Sequence, residues 1–271
     1  MKKLGLLLLL LAQQALGGTL PRPDHVVIVV EENRAYSEII GNREAPYINS
    51  LARRGMLFTN SHGVTHPSLP NYLALFAGST YNIASDACPL ELSGGNLADS
   101  LQERSLSFAI YSESLPEVGA AGCIYGGYRR KHNPVAAWKE LAALSLPFSA
   151  FPRDFSKLPT VSWVIPDQRN DMHDGSVARG DVWLKRNLGT YAKWAAGHNS
   201  LLIVTWDEDY NSPSNRVATI FFGQIVRHGS SMQPVNHYSV LRTIEEMYGL
   251  PALNNSAHVR AIEGAWRKAR H

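Results

Sequence analysis

Five mainly apolar runs along the chain have the pattern of strands that are buried on both faces of a sheet. The first is an uninterrupted series of β-branched residues at 26–30, and the others occupy residues 107–111, 161–165, 201–205 and 218–222. Continuous apolar runs of this length are typical of central parallel strands. Each of the first four runs leads within two positions to polar residues.

Helical patterns lie between these runs, at residues 47–54, 69–76, 97–103, 177–194 and 238–248. Strands that alternate with helices indicate βαβ units, so we predict an α/β fold with a mostly parallel central sheet flanked by helices. The length of 271 residues fits one large domain. We find no internal repeat, low-complexity tract or linker, and we predict that residues 19–271 form a single domain.

Acidic residues follow three of the predicted strands at their carboxyl ends. Glu31 and Glu32 follow the first strand, Asp167 follows the run at 161–165, and three successive acids occupy residues 207–209. Ligands of open α/β sheets bind beyond the carboxyl ends of the strands. We therefore expect these acids to meet at one edge of the sheet and to form a site there.

The amino terminus has the pattern of an export signal. Lys2 and Lys3 precede a leucine-rich run at residues 4–11, and small residues follow near Gly17. The apolar run is too short for a stable membrane anchor. We predict that residues 1–18 are a signal peptide and that the mature protein is secreted or periplasmic, without stable membrane insertion.

The charge balance lacks the strongly basic character of a nucleic-acid-binding protein. Lys and Arg number 26 against 23 Asp and Glu, which gives a formal net charge of +3. Such a charge does not repel an anionic ligand. The two cysteines, Cys88 and Cys123, are expected to form a disulfide in an exported protein, and two separate buried thiols are the alternative.

Ser68 is the candidate nucleophile. It begins the tetrad SLPN within the segment THPSLPNYL at residues 65–73, just before an apolar helical run. A serine at a loop-to-helix junction lies beside free backbone N–H groups, which bind anions such as a phosphoryl group that a hydroxyl can attack. A serine before Leu-Pro is also a common helix N-cap, so the tetrad alone leaves both roles open.

The pair Glu32-Asn33 offers a carboxylate and a side-chain carbonyl, which are ligands that hard divalent cations prefer. A helix-capping acid followed by an asparagine in a turn is the alternative. The three successive carboxylates at residues 207–209 repel one another unless a cation or an arginine neutralises them. Asp207 and Glu208 are therefore candidate metal ligands, against a solvated acidic loop or pairing with Arg216.

Histidines mark three further segments. The loop at residues 167–175 combines Asp, Asn and His173, and an imidazole beside carboxylates suits acid–base chemistry or metal binding, although such a loop is also ordinary turn chemistry. His132 follows Arg130 in a short basic segment that could bind phosphate oxygens or form a solvated face. His237 begins the last helical pattern, where a capping or core role is the alternative.

Six of these segments, taken in order, resemble the bacterial phosphoesterase family, which includes acid phosphatase A-type enzymes and non-specific phospholipases C, within the alkaline phosphatase superfamily. The similarity extends from about residue 24 to residue 253, nearly the whole predicted mature chain. The segments are EENR at 31–34, THPSLPNY at 65–72, residues 128–134 and 167–175, TWDED at 205–209, and HYS at 237–239.

The resemblance implies an active site at the strand carboxyl ends with one catalytic serine and one metal site. Ser68 would be the metal-activated nucleophile, and phosphate-binding or acid–base roles would fall to histidines. The implied metal ligands are Glu32, Asn33, Ser68, Asp207 and Glu208. The implied catalytic histidines are His132 and His173, and the substrate-binding candidates are Asn71, Arg130, His132 and His237.

The chain departs from the two-zinc pattern of related nucleotide pyrophosphatase/phosphodiesterases. It has Glu208 where acid phosphatase A-type enzymes have Asp and the two-zinc relatives have His, and its first strand ends in Glu-Asn instead of Asp-Gly. The oxygen-rich donor set favours one divalent cation, Ca, Mg or Mn, over a pair of zinc ions, and zinc stays an alternative.

We therefore predict an exported, metal-dependent acid phosphatase that hydrolyses small phosphomonoesters through a phosphoserine intermediate. The alternatives are a phospholipase C-type or nucleotide phosphodiesterase, and an exported protein that binds a phosphorylated ligand without turnover. A sulfatase is disfavoured, because Asn71 and Tyr72 stand where the Cys/Ser-x-Pro-x-Arg context of those enzymes requires other residues.

Overall fold

The computed structural model describes residues 20–267, and the predicted signal peptide lies outside the described residues. Each predicted strand is present, with bounds that differ by at most one or two residues. Short strands that the apolar pattern did not indicate complete the sheet. The strands are β1 (His25–Glu31), β2 (Met56–Phe58), β3 (Ser61–His62), β4 (Phe108–Ser112), β5 (Ile124–Tyr125), β6 (Tyr128–Arg129), β7 (Ser145–Pro147), β8 (Val161–Ile165), β9 (Ser200–Trp206), β10 (Thr219–Phe222), β11 (Gly229–Ser231) and β12 (Val235–Asn236).

Eight of these strands form one sheet in the order β11-β2-β10-β9-β1-β8-β4-β7. The pairs around β1 and β4 are parallel, and only β10 among the eight strands runs antiparallel to its neighbours β9 and β2. No helix separates β9 from β10, so the chain can turn back without the long crossover that a parallel pair needs. The predicted α/β fold with a mostly parallel central sheet is confirmed.

Helices cover both faces of this sheet, as the alternating pattern predicted. In addition, six 3₁₀ segments lie within the described residues, five of them between residues 130 and 157. They are too short to produce a helical periodicity in the sequence. The helices are α1 (Tyr36–Ile39), α2 (Pro46–Arg54), α3 (Ser68–Ala77), α4 (Leu97–Gln102), α5 (Val177–Ala195) and α6 (His237–Tyr248).

The side chains of β1 alternate between two hydrophobic cores. Val26, Ile28 and Val30 belong to the core that contains the buried residues of α3, α4 and α6, whereas Val27 and Val29 belong to the core shared with α2 and α5. A strand buried on both faces needs apolar side chains at every position, which explains the uninterrupted run. The central strands pack against both cores, so the carboxyl ends of these strands are fixed in position at one edge of the sheet.

Loops at this edge are tied together by backbone hydrogen bonds. The Glu32 N–H donates to the Asp171 carbonyl at 2.8 Å, and the Asp207 N–H donates to the Glu31 carbonyl at 3.0 Å. The predicted disulfide between Cys88 and Cys123 is confirmed and joins two further loops. Among residues 20–267, no helix has both the length and the apolar character to cross a membrane.

Candidate active site

Ser68 is the first residue of α3 and is buried, and its hydroxyl faces the strand ends. Its Oγ donates to Glu32 Oε2 at 3.0 Å and lies 3.1 Å from Glu208 Oε1. The N-cap position belongs to Pro67, so the hydroxyl is not used as a helix cap. Glu32 follows β1 and Glu208 follows β9, and the two parallel neighbours bring these carboxylates to the same side chain.

The second oxygen of Glu32 has its own partners. Tyr72, one turn along α3 from Ser68, donates its hydroxyl to Glu32 Oε1 at 2.5 Å. The His132 Nε2 atom lies 3.2 Å from the same oxygen, and the His132 ring stacks on Tyr72 with 5.3 Å between ring centroids. The Tyr72 hydroxyl therefore orients Glu32 toward Ser68, and the His132 ring packs against Tyr72.

Asp171 adds a carboxylate for which the sequence predicted no role. Its Oδ2 atom lies 3.5 Å from His132 Nδ1, and one donor atom from each of Glu32, His132 and Asp171 falls within 4.8 Å of the others. All three side chains are buried, and such a group could bind a metal ion. Its position in the polar loop after β8 was the available signal, but six other polar residues share that loop.

Several buried atoms at this edge make no hydrogen bond within the described part of the chain. They include Asn33 Oδ1, His132 Nε2, Asp171 Oδ2 and Asp207 Oδ2, and both carboxylate oxygens of Glu31. Buried polar atoms are normally paired, so orphaned oxygens and one nitrogen at the same sheet edge fit a bound cation. The Asn33 N–H donates to Asp207 Oδ1 at 3.3 Å, which shows that the Glu32-Asn33 and Asp207-Glu208 pairs converge.

The carboxylates of the site are electrostatically crowded. Burial raises the pKa of Glu32 well above its usual value, and Asp207 and Asp171 raise it further. Burial also raises the pKa of Asp207, with Glu208 adding to the effect. Arg216 does not neutralise them, since its guanidinium binds the Thr59 carbonyl and covers the Tyr36 ring at 4.1 Å. The donor set therefore favours a cation over an arginine as counter-charge.

The two candidate catalytic histidines lie near each other but in different surroundings. Burial lowers the pKa of His132 well below its usual value, and the nearby Lys131 lowers it further. His173 is partly exposed, with 6.3 Å between its ring centroid and that of His132. Its Nδ1 atom lies 2.7 Å from Asp174 and 3.1 Å from the Gln168 amide. His132 is therefore neutral, and His173 is the imidazole with access to solvent.

In three predicted substrate-binding residues, the polar side-chain atoms form hydrogen bonds with other residues of the protein. The Asn71 amide bonds to backbone atoms of residues 64, 65 and 67, and Arg130 donates to the carbonyls of residues 90, 121 and 136. His237 is buried and lies 2.5 Å from the Asp207 carbonyl oxygen. This geometry gives them a framework role, and contact with substrate stays a prediction for them.

His66 is a site residue that the sequence did not single out. Its Nδ1 bonds to Glu208 Oε2, and with Asn33, Glu208 and Tyr210 it lines a cavity of about 370 Å³ that opens at the site. A larger cavity of about 890 Å³ lies beside the start of α6, and none of the acids of the site lines it. Of these two cavities, the smaller is the one lined by site residues, and Pro67, the neighbour of Ser68, also borders it.

The fold and the site define the class of protein. A structure described as a protein in the alkaline phosphatase superfamily from Vibrio parahaemolyticus matches with a TM-score of 0.60 at 12% identity, over 89% of this chain and 71% of that chain, which shows the shared fold. The chain belongs to the Phosphoesterase family, whose model matches residues 42–251. This agrees with the predicted family.

Two relatives carry the comparison further. The chain is 48% identical to the phosphatidylinositol-3-phosphatase of Mycobacterium tuberculosis, over 91% of this chain and 84% of that protein. It is 30% identical to an acid phosphatase of Aspergillus fumigatus over 75% of this chain, and the match spans only half the length of that fungal protein. The chain is a phosphoric ester hydrolase, and the alternative of a binding protein without turnover is set aside.

Proposed function

We propose that this protein is an exported, metal-dependent acid phosphatase that cleaves phosphomonoesters through a phosphoserine intermediate at Ser68. The observation that carries the proposal is the Ser68 hydroxyl, which lies between the carboxylates of Glu32 and Glu208 at 3.0 and 3.1 Å. A serine outside a catalytic site has no need of two buried carboxylates on separate strands. Both relatives described above are named as phosphatases, which favours phosphomonoesters over phosphodiesters.

Glu32, Asn33, Asp207 and Glu208 would hold one divalent cation next to Ser68. The orphaned atoms Asn33 Oδ1 and Asp207 Oδ2 fit this group, and the oxygen-rich set suits Ca, Mg or Mn better than zinc. A bound cation would lower the pKa of the serine hydroxyl and offset charge on the phosphoryl oxygens.

The residues of the chain account for the proton transfers. In the first step Ser68 Oγ forms a bond to phosphorus, its proton passes to the Glu32 or Glu208 carboxylate, and the ester P–O bond breaks. His173 protonates the leaving alkoxide, because of the two candidate catalytic histidines it is the one with access to solvent. Water then attacks the phosphorus of the phosphoserine and passes a proton to His173, and the P–O bond to Ser68 breaks. Ser68 Oγ takes its proton back from the carboxylate, so inorganic phosphate is released and the hydroxyl is restored. Tyr72 holds Glu32 in place throughout, and the His132 ring packs against Tyr72.

Export is the remaining part of this proposal. The leucine-rich amino terminus supports it, and so does the disulfide between Cys88 and Cys123, because disulfides persist in oxidising compartments. Small phosphorylated molecules are the proposed substrates. The relative named phosphatidylinositol-3-phosphatase adds a lipid phosphomonoester as a substrate to be tested beside them.

The decisive experiment is a Ser68→Ala variant assayed with p-nitrophenyl phosphate, its diester, and a short-chain phosphatidylinositol 3-phosphate. We expect the native protein to hydrolyse both monoesters and the Ser68→Ala variant to hydrolyse neither. When the native enzyme is quenched with acid during turnover, Ser68 should carry a covalent phosphate. Thr65→Ala is the matched control, because the Thr65 hydroxyl only bonds to the neighbouring carbonyl of His66. Near-native activity in Ser68→Ala would rule out the mechanism.

A further inference from the structure

Lys131 and Asp86 form an ion pair beside the nucleophile. The Lys131 Nζ atom lies 2.7 Å from Asp86 Oδ2, and the other oxygen of Asp86 accepts the Leu69 N–H at 3.0 Å. Leu69 directly follows Ser68, so one carboxylate connects the ammonium group to the peptide next to the nucleophile. Both side chains keep contact with solvent, with exposed fractions of 15% for Lys131 and 30% for Asp86.

The ammonium of Lys131 is part of the electrostatics of the site. Burial lowers its pKa, but Glu32 and the bond to Asp86 outweigh this effect, and the pKa is raised overall. Its charge in turn lowers the pKa of Glu32 and of His132. The Lys131 ammonium thus lies beside the carboxylate that accepts the N–H next to Ser68, whereas Arg130 is committed to backbone carbonyls.

We propose that Lys131 binds the phosphoryl group of the substrate and that the Asp86 carboxylate occupies the same donors until the substrate arrives. This inference rests on the proposed phosphatase function and assigns a substrate-binding residue to it. A phosphoryl oxygen and a carboxylate oxygen accept the same charge-assisted hydrogen bonds. Asp86 accepts hydrogen bonds from the ammonium and from the backbone N–H next to Ser68, and both are donors that a phosphoryl oxygen can use instead.

The position of Asp86 suits an exchangeable partner. It lies on the loop between α3 and α4, outside the regular elements, and its carboxylate is more exposed than those of Glu32 and Asp207. Cys88 lies two residues further along, and its disulfide to Cys123 keeps this loop near the segment that leads to Lys131. In this proposal Asp86 releases Lys131 when phosphate binds, and the disulfide keeps the Asp86 loop near the site.

The test measures the dissociation constant of inorganic phosphate by calorimetry in the metal-loaded Ser68→Ala protein, where turnover cannot interfere. We expect Lys131→Gln to weaken phosphate binding by about 10- to 100-fold, as for the loss of a charged hydrogen bond, and Lys131→Arg to restore most of it. Asp86→Asn should tighten phosphate binding by about threefold or more, because a charged competitor is removed while an acceptor for the Leu69 N–H is kept.

Lys157→Gln is the matched control, since Lys157 is exposed and pairs only with the surface residue Asp154. Unchanged phosphate binding in Lys131→Gln, or weaker binding in Asp86→Asn, would overturn the inference. Its failure is distinct from failure of the proposed function, because the calorimetric readout does not depend on Ser68. Thermal unfolding of each variant checks that the fold is retained, and Asp86→Asn provides an independent test if Lys131→Gln is unstable.

Discussion

The hydroxyl of Ser68 lies 3.1 Å from the Glu208 carboxylate, although 140 residues separate the two along the chain. The same hydroxyl donates at 3.0 Å to Glu32, which is 36 residues away in the other direction. The proposed nucleophile is therefore oriented by carboxylates that follow two neighbouring parallel strands, both buried on both faces. Changes to the acids at these strand ends should affect metal binding and catalysis without unfolding the sheet.

Asp207→Asn should abolish metal binding while the neighbouring Asp209→Asn should not. Asp207 Oδ2 is an orphaned atom that faces the site, whereas the Asp209 carboxylate accepts hydrogen bonds from Ser212. We expect Asp207→Asn to lose about 100-fold or more in metal affinity, at least the loss seen for outer partners of metal ligands. Metal analysis after dialysis, together with titration of Mn²⁺ or Mg²⁺, provides the measurement. Equal metal content in both variants would contradict the ligand assignment.

The metal-free protein should lose stability as the pH rises above about 4. Burial raises the pKa of Glu32 from its ordinary 4.5 and of Asp207 from 3.8, so both bind protons more strongly when folded than when unfolded. Such a group contributes stability below its unfolded pKa, and this contribution is lost as the pH rises through the folded pKa. A divalent cation takes the place of the protons and should stabilise most near neutral pH.

Chemical denaturation from about pH 4 to about pH 8, with and without Mn²⁺, measures this effect as the free energy of unfolding. The Glu32→Gln variant removes one of the titrating groups and is the control, so its metal-free curve should be flatter than that of the native protein. Identical pH dependence in the two metal-free proteins would argue against proton uptake by Glu32.

His173→Ala should discriminate between substrates by their leaving groups. If His173 protonates the leaving alkoxide, its loss should slow the hydrolysis of alkyl phosphates by about 100-fold or more. The hydrolysis of p-nitrophenyl phosphate should be slowed much less, because nitrophenolate needs no proton to depart. Comparison of kcat for the two substrates measures this difference. His198→Gln is a suitable control because His198 is exposed and stacks on Trp194, with 4.2 Å between ring centroids. An equal loss on both substrates would exclude the acid role.

His237 should make the protein sensitive to acid. Burial lowers its pKa from 6.5 to about 4, so the imidazole is neutral when it binds the Asp207 carbonyl. Its contribution to stability is complete above pH 6.5 and is lost as the pH falls through about 4, and it amounts to about 3 kcal/mol. His237→Gln keeps a donor for the carbonyl and should flatten the acid limb of the stability curve. A variant with an unchanged slope between these pH values would contradict the buried neutral state.

Much of the fold and the outline of the site follow from local pattern. The β-branched run at residues 26–30 determines a strand buried on both faces, and the acids after it and after residues 201–205 must then lie at the carboxyl edge of the sheet. The antiparallel direction of β10 was not predicted, because an apolar run specifies burial and not direction. The edge strands β7 and β11 are too short to produce a pattern.

The detailed composition of the site required the folded chain. The orphaned Asp171 carboxylate, the contact of His66 with Glu208 and the Lys131–Asp86 pair join residues far apart in sequence, and no spacing rule connects them. The hydrophobic periodicity of the sequence predicts which helices and strands form and which of their faces are buried, because both properties depend on residues close together in the chain. Distances between side chains depend on how loops cross the sheet edge, and the packing of the whole domain sets those crossings.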